Sequence, residues 1–208
     1  MRKKEYIIIF VLISVLMFCN VYTYLQCKKA HKIQTFLYRL NEESGRQIGY
    51  LNGMKECRIT ELFLNGKIIP TNMVVMDMEK HKLNLPDVIK NNMLILRYSE
   101  MHCNVCIDSI IARLNAYKDL IGLNNIILLT TSKSSNYIRQ FKKMNKVSFE
   151  IYNMDRMADS IFVDIGMPYL FIYTSNDKRI NNMFIPQKED SKLTDEYLRS
   201  ILIKYYTK

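Results

Sequence analysis

The feature that most constrains this chain is an uninterrupted apolar run near its start, residues 6–25. Apart from tyrosines, its polar side chains are only Ser14, Asn20 and Thr23. About 20 apolar residues in a helix span the hydrocarbon core of a bilayer, so the run predicts a transmembrane helix. Because no small-x-small cleavage site follows it, the pattern favours an uncleaved signal anchor over a cleaved signal peptide. Basic residues flank it on both sides, at Arg2, Lys3, Lys4, Lys28 and Lys29.

The basic side chains are concentrated around this run. The formal net charge is +10, from 30 basic and 20 acidic side chains. Residues 1–60 hold 10 basic and 4 acidic side chains, whereas residues 61–208 hold 20 and 16. Basic groups are expected beside a membrane span, and no nucleic-acid-binding motif accompanies them. We therefore predict no nucleic-acid partner, while charge at both ends of the run leaves its orientation open.

The segment after the apolar run, residues 26–56, is polar with apolar positions at helical spacing. This pattern predicts an amphipathic juxtamembrane helix that ends in a loop at Ser44 and Gly45. Sustained heptads are absent, so a helix lying on the lipid headgroups or against the folded domain is favoured over a coiled coil. The apolar positions are Ile33, Phe36, Leu37 and Leu40.

The remainder of the chain alternates between strand and helix patterns. Strands are predicted at residues 58–64, 73–78, 93–98, 125–130, 147–152, 169–174 and 180–185. Helices are predicted at residues 85–90, 104–117, 134–143, 157–162 and 193–206. Strands that first alternate with helices and then pair as a hairpin indicate an α/β fold, a mixed β-sheet with helices on both faces.

The pair Cys103-Asn-Val-Cys106 lies between a strand of buried type and the first turn of a predicted helix. Unpaired N–H groups and the helix dipole favour a thiolate there and can lower its pKa from about 8.5 to roughly 3.5–7.5. The second thiol lies one turn further into the helix and can resolve a mixed disulfide formed at the first. The pair therefore predicts a redox site in which Cys103 is the attacking thiol.

Two residues beside this pair are further candidates. His102 directly precedes Cys103 and either holds the thiolate through a partial positive charge or is a loop histidine without a role. Glu100 either relays protons to Cys106 or is a solvated loop carboxylate.

The cysteines outside the pair suggest no redox role. Cys57 is expected to be buried as a small hydrophobic side chain. Cys19 lies in the apolar run after the bulky Phe18, which makes lipidation the lesser alternative.

A second element, Met167-Pro168, comes about 60 residues after the cysteine pair and directly before a predicted strand. The order strand, C-x-x-C, helix, β/α crossover, X-Pro, β-hairpin and terminal helix resembles the thioredoxin-like superfamily. Within it, the chain is most similar to membrane-tethered extracytoplasmic thiol-disulfide oxidoreductases and related redoxin-domain proteins. The resemblance covers about residues 58–208.

The resemblance implies roles for four residues. Cys103 would attack the substrate disulfide and Cys106 would resolve the intermediate. Pro168 would follow a cis peptide bond in a loop packed beside the two cysteines, and the backbone of Met167 would pair with substrate.

The chain departs from the family pattern at two positions. His102 replaces the common aromatic residue before the first cysteine. The strand at residues 93–98 contains Arg97 and no acidic residue, whereas thioredoxins often bury an aspartate near the resolving thiol. Proton transfer would then use Glu100 or water.

These expectations define one organisation of the chain. It comprises a cytoplasmic N-terminus (1–5), a transmembrane signal anchor in the lipid bilayer (6–25), a juxtamembrane helical stalk (26–56) and a thioredoxin-like domain (57–208). The resemblance implies a single-pass protein of the bacterial inner membrane whose soluble domain faces the periplasm.

The expected function is thiol-disulfide exchange on periplasmic proteins through the Cys103–Cys106 couple, without a cofactor or metal. A thiol electron donor in the membrane or periplasm would restore the couple. One alternative is a thioredoxin-like metal-handling protein in which these cysteines, with His102, bind copper or zinc. Another is a non-catalytic envelope assembly protein whose cysteines form a structural disulfide.

Overall fold

A computed structural model describes residues 2–102, 104–154, 162, 164–188 and 190–207. The chain divides into two compact units, residues 1–53 and residues 54–208. The first helix, α1, spans Arg2–Leu64. Among the described residues, α1 is the one helix long and apolar enough to cross a membrane. Large apolar side chains between Tyr6 and Leu25 are all about half or more exposed within the unit they belong to.

Two predictions for the chain between residues 26 and 64 are wrong. The expected loop at Ser44 and Gly45 and the expected strand at residues 58–64 both lie within α1. Burial explains the second difference. Cys57, Glu61 and Leu64 are buried at spacings of four and three residues, which is the period of a helix. Exposed apolar residues between them, Ile59, Leu62 and Phe63, produce the apparent alternation.

The sheet has seven strands in the order β2-β1-β5-β4-β3-β6-β7. β3 pairs in parallel with β4, and β4 with β5, while the other neighbours are antiparallel. The predicted mixed sheet is therefore confirmed. The strands are β1 (Val74–Met76), β2 (Lys82–Asn84), β3 (Met93–Ser99), β4 (Ile126–Thr131), β5 (Glu150–Met154), β6 (Tyr169–Thr174) and β7 (Arg179–Phe184).

In the described part of the chain, four shorter α-helices follow α1 at or near their predicted positions, together with a 3-10 turn at Leu123–Asn125. The α-helices are α2 (Leu85–Val88), α3 (Asn104–Ile121), α4 (Ser135–Met144) and α5 (Ser191–Ile201). The Ser134 hydroxyl caps α4 by accepting from Tyr137 N–H, and the Asp190 carboxylate caps α5 by accepting from Leu193 N–H. A π-helical segment, Leu202–Tyr206, continues α5. The helix predicted at residues 157–162 lies, apart from Phe162, outside the described residues.

Buried side chains cover both faces of the sheet, as the alternation of strands with helices along the chain predicts. On one face Leu94, Leu96 and Tyr98 of β3 pack in a core with α3, α4 and α5. On the other face Met93 and Ile95 pack in a core with α2 and the end of α1. All seven residues of β3 are buried, which is typical of a central strand covered on two sides.

The end of α1 is fastened to the segment that follows β7. The buried Glu61 carboxylate accepts a hydrogen bond of 2.7 Å from Ile185 N–H and one from Arg58. Cys57, one turn earlier, is 5% exposed, and the Gln187 amide donates to its sulfur. The expected burial of Cys57 is confirmed.

Candidate redox site

The cysteine pair follows the central strand β3 in the chain. β3 ends at Ser99 and α3 begins at Asn104, so Cys103 directly precedes the first residue of this helix. Cys106 lies in the first turn of α3 and is half-buried. Cys103 itself lies outside the described residues, and the roles expected of the two thiols stay predictions.

His102 is buried beside the end of β3, with its side chain 1% exposed. Its backbone N–H donates to the Ser99 carbonyl at 2.9 Å, and Ser99 N–H donates to the imidazole Nδ1 at 3.3 Å. Because Nδ1 accepts a hydrogen bond, the proton of a neutral ring lies on Nε2. Nε2 is 2.7 Å from Oδ1 of Asp164. The ring also packs edge-on against Tyr98, 5.7 Å between centroids.

The environment of His102 does not fit the expected positive charge. Burial lowers the pKa of His102 below its usual 6.5, and the nearby Arg97 guanidinium acts in the same direction. The hydrogen bond with Asp164 opposes these effects without overcoming them. The lowered pKa favours the neutral imidazole at pH 7. The role expected of His102 toward the Cys103 thiol stays a prediction.

Asp164 connects this ring to the loop that contains Met167 and Pro168. Its Oδ1 also accepts from Gly166 N–H at 2.9 Å. Burial alone would raise the pKa of Asp164. The hydrogen bonds from His102 and Gly166 outweigh burial and hold the pKa below its usual value, so the carboxylate is ionised. A hydrogen bond between the buried His102 ring and the partly exposed Asp164 carboxylate therefore joins the loop before Cys103 to the loop before β6.

Pro168 lies beside the end of β3. It is buried and directly precedes Tyr169, which pairs with Arg97 in the antiparallel register of β3 and β6. Met167 is half-buried and packs against the core on the face of α2. The prediction of a cis bond before Pro168 is wrong. The Met167–Pro168 bond is trans, and no peptide bond between described residues is cis. Sequence cannot decide this point, since most X-Pro bonds in folded proteins are trans.

Glu100 is held by the loop after β4. Its carboxylate accepts from the Ser132 hydroxyl at 2.5 Å and from Lys133 N–H at 3.3 Å. It is half-buried and therefore differs from a freely solvated loop carboxylate. Its expected part in proton transfer stays a prediction.

Arg97 is fully buried one residue before Tyr98. Its guanidinium donates to the Thr131 hydroxyl at 2.8 Å and to the Tyr98 carbonyl. A buried cation thus occupies the part of β3 where the resemblance suggests a buried acid.

A cavity of about 460 Å³ opens beside these groups, at the carboxyl ends of β3, β4 and β5. Glu100, Met101, Ser132 and Asp164 are among the residues that line it. Its size lies within the usual range for ligand pockets.

No group of three or more metal-ligating His, Cys, Asp or Glu side chains converges among the described residues, which leave out Cys103.

The order of elements around the cysteine pair identifies the fold. A parallel β3–α3–β4 unit is followed, across β3, by the antiparallel hairpin of β6 and β7 and then by α5. This is the order on which the resemblance seen in the sequence rests. The fold is thioredoxin-like.

Solved structures similar to this thioredoxin-like chain include a thiol:disulfide interchange protein from Bacteroides sp., at 12% identity and a TM-score of 0.47 over 65% of this chain and 90% of that one. The thioredoxin domain of a thiol-disulfide oxidoreductase from Bacteroides vulgatus is 12% identical, with a TM-score of 0.47 over 64% of this chain and 97% of that domain. A secreted disulfide oxidoreductase from Mycobacterium tuberculosis is 7% identical, with a TM-score of 0.47 over 62% of this chain and 96% of that one. No protein-family model and no curated protein sequence matches the chain.

Asp164 was not identified from the sequence as a residue of the candidate site. It follows the cysteine pair by about 60 residues, and a carboxylate in a loop carries no periodic signal. The available hint was the segment Asp164-Ile-Gly166, because Asp followed two residues later by Gly is typical of a turn in which the carboxylate accepts a backbone N–H.

The neutral state of His102 predicts how stability depends on pH. A histidine whose pKa is lowered by folding binds its proton more strongly in the unfolded chain, so its contribution is present above pH 6.5 and is lost as pH falls. We expect the urea midpoint of the wild type, relative to that of His102→Gln, to be lower at pH 5 than at pH 8.

His81 provides the control for this experiment. Its hydrogen bond with Asp77 raises the pKa of His81, so its contribution is present at low pH and is lost as pH rises. The urea midpoint of the wild type, relative to that of His81→Gln, should therefore be higher at pH 5 than at pH 8. Equal trends for both variants would contradict the assignment of a neutral, buried His102.

Proposed function

We propose that this chain is a membrane-anchored thiol-disulfide oxidoreductase that exchanges disulfides with periplasmic proteins through Cys103 and Cys106. The observation that carries the proposal is the position of the pair in a thioredoxin-like fold. Cys103 comes between the buried central strand β3 and the first residue of α3, and Cys106 lies in the first turn. Four N–H groups at the start of a helix have no partner within it, and they favour a thiolate at this position.

The proposed reaction in the reducing direction has two steps. The Cys103 thiolate attacks one sulfur of the substrate disulfide, which forms a mixed disulfide and releases the other substrate sulfur as a thiolate. The Cys106 thiolate then attacks the sulfur of Cys103, so the Cys103–Cys106 disulfide forms and the second substrate thiolate leaves. The two cysteine thiols release their protons to water as they become thiolates, and both leaving thiolates take protons from water, so the protons balance. Two electrons pass from the dithiol to the substrate, and a thiol donor of the membrane or periplasm restores the dithiol.

The proposed anchor is residues 6–25 within α1. Large apolar side chains along this segment are about half or more exposed in the first unit, including Ile8, Leu12 and Leu16. Exposed apolar surface of this extent is unfavourable in water and favourable in hydrocarbon. The resemblance to tethered oxidoreductases supports a periplasmic location of the second unit.

Insulin reduction by dithiothreitol tests the proposed activity. The full chain in detergent micelles is expected to accelerate the reduction, and Cys103→Ser is expected to abolish the acceleration because no thiolate attacks. Reduced Cys106→Ser, freed of dithiothreitol and then mixed with insulin, should accumulate a mixed disulfide, visible by non-reducing electrophoresis. Cys27→Ser, which changes an exposed cysteine of α1, should match the wild type. A wild-type chain that gives no acceleration would contradict the proposal.

A second candidate is a non-catalytic envelope assembly protein whose Cys103 and Cys106 form a structural disulfide. The trans Met167–Pro168 bond favours it, because the resemblance implies a cis bond in the enzymes of the family. The reduction potential of the couple distinguishes the two. A value below about −300 mV is typical of a structural disulfide, and a higher value is typical of a working couple.

A further inference from the structure

The His102–Asp164 contact joins two segments that are distant in the chain and adjacent at the site. His102 directly precedes Cys103, and Asp164 lies three residues before Met167. The contact is a hydrogen bond of 2.7 Å between a ring that is 1% exposed and a carboxylate that is 34% exposed. Each partner is also fixed within its own loop, the ring by Ser99 N–H and the carboxylate by Gly166 N–H.

We propose that His102 and Asp164 are positioning residues, which hold the loop that carries Cys103 against the loop that carries Met167 and Pro168. The inference rests on the proposed function and deepens it. A protein substrate has to meet the attacking thiol and the backbone of Met167 at the same time, so the relative position of the two loops sets how well it binds. A small disulfide needs only the thiol.

The chemistry of the contact suits a fixed link. The neutral ring donates from Nε2 and accepts at Nδ1, so it uses both nitrogens and has one orientation. The carboxylate accepts two hydrogen bonds at one oxygen, and an acceptor that is charged forms stronger hydrogen bonds than a neutral one. Edge-on packing against Tyr98 limits movement of the ring in its pocket.

The test compares two substrates on the full chain in detergent micelles. One is insulin, whose disulfides lie in a polypeptide, and the other is 5,5′-dithiobis(2-nitrobenzoic acid), which offers no backbone. For Asp164→Ala we expect kcat/KM toward insulin to fall about tenfold, the effect of one lost hydrogen bond to a charged group, mainly through KM. The single-turnover rate of the reduced variant with the small disulfide should remain at the wild-type value.

Two variants control this result. Asp164→Asn keeps an oxygen that accepts from both His102 and Gly166, so it should retain most of the insulin activity. Asp177→Ala removes a carboxylate of the same kind from the β6–β7 turn, where it accepts from the Thr174 hydroxyl and Arg179 N–H. This change lies at the opposite end of β6 and should leave both rates at the wild-type value.

Each other outcome overturns the inference in a distinct way. Equal losses with both substrates would mean that the pair acts on the thiol itself. No loss with either would mean that the contact only stabilises the fold. A wild-type chain inactive toward both would overturn the proposed function and this inference with it. If Asp164→Ala does not fold, the comparison uses His102→Gln, which keeps a donor for Asp164 and should be active on insulin, and His102→Leu, which should lose that activity selectively.

Discussion

Replacement of Arg97 by alanine is expected to lower the free energy of unfolding by about 3–5 kcal/mol. The guanidinium is fully buried and donates to the Thr131 hydroxyl and the Tyr98 carbonyl. Alanine removes both donors and leaves a cavity between the ends of β3 and β4. A buried acceptor that loses its partner retains the cost of having left water, so this loss exceeds the value of the hydrogen bonds themselves.

Urea unfolding followed by tyrosine fluorescence measures the effect, since the chain has 14 tyrosines and no tryptophan. Arg97→Met should cost less than Arg97→Ala, because methionine fills much of the same volume and removes the buried charge. Arg139→Ala is the matched control, because Arg139 is an exposed arginine of α4 with one long hydrogen bond, and it should change stability by about 0.5 kcal/mol or less. Equal effects at the two arginines would contradict the structural role of Arg97.

The sequence predicted the central elements because each of them carries its own period. β3 begins with four consecutive apolar residues, 93–96, and α3 places Ile107, Ile110 and Leu114 on the face that becomes its core contact. The segment at residues 58–64 misled the prediction, because seven residues with exposed apolar side chains between buried ones resemble a strand. A short window cannot separate the two periods when apolar residues occur on both sides.

The contacts that organise the site lay beyond such local patterns. Arg97 was recognisable as a departure from the family, but the Thr131 hydroxyl that receives its hydrogen bond lies 34 residues away. The sequence made His102 a candidate but did not indicate its hydrogen-bond partner, because Asp164 lies 62 residues further along the chain. Nothing in the spacing of these residues indicates contact, because the pairing of β3 with β4 and β6 is what brings them together.

Two arginines in the proposed anchor are expected to release the chain from the membrane. Leu12→Arg combined with Leu16→Arg places two charges in the middle of the apolar run, and each costs about 2.5–3.5 kcal/mol at the centre of a bilayer. The wild type should stay in the membrane pellet after alkaline carbonate extraction of bacterial cells. The double variant should move to the soluble or the degraded fraction.

The matched control uses the same substitutions, at the same spacing, further along α1. Ile33 and Leu37 are also four residues apart on this helix and, at 60% and 57%, about as exposed as Leu12 and Leu16 at 57% and 62%. They lie outside the apolar run, so Ile33→Arg combined with Leu37→Arg should remain in the pellet. If both double variants leave the membrane, general surface hydrophobicity rather than a spanning segment holds the chain there, and residues 6–25 are not its anchor. If neither leaves, the attachment lies elsewhere in the chain.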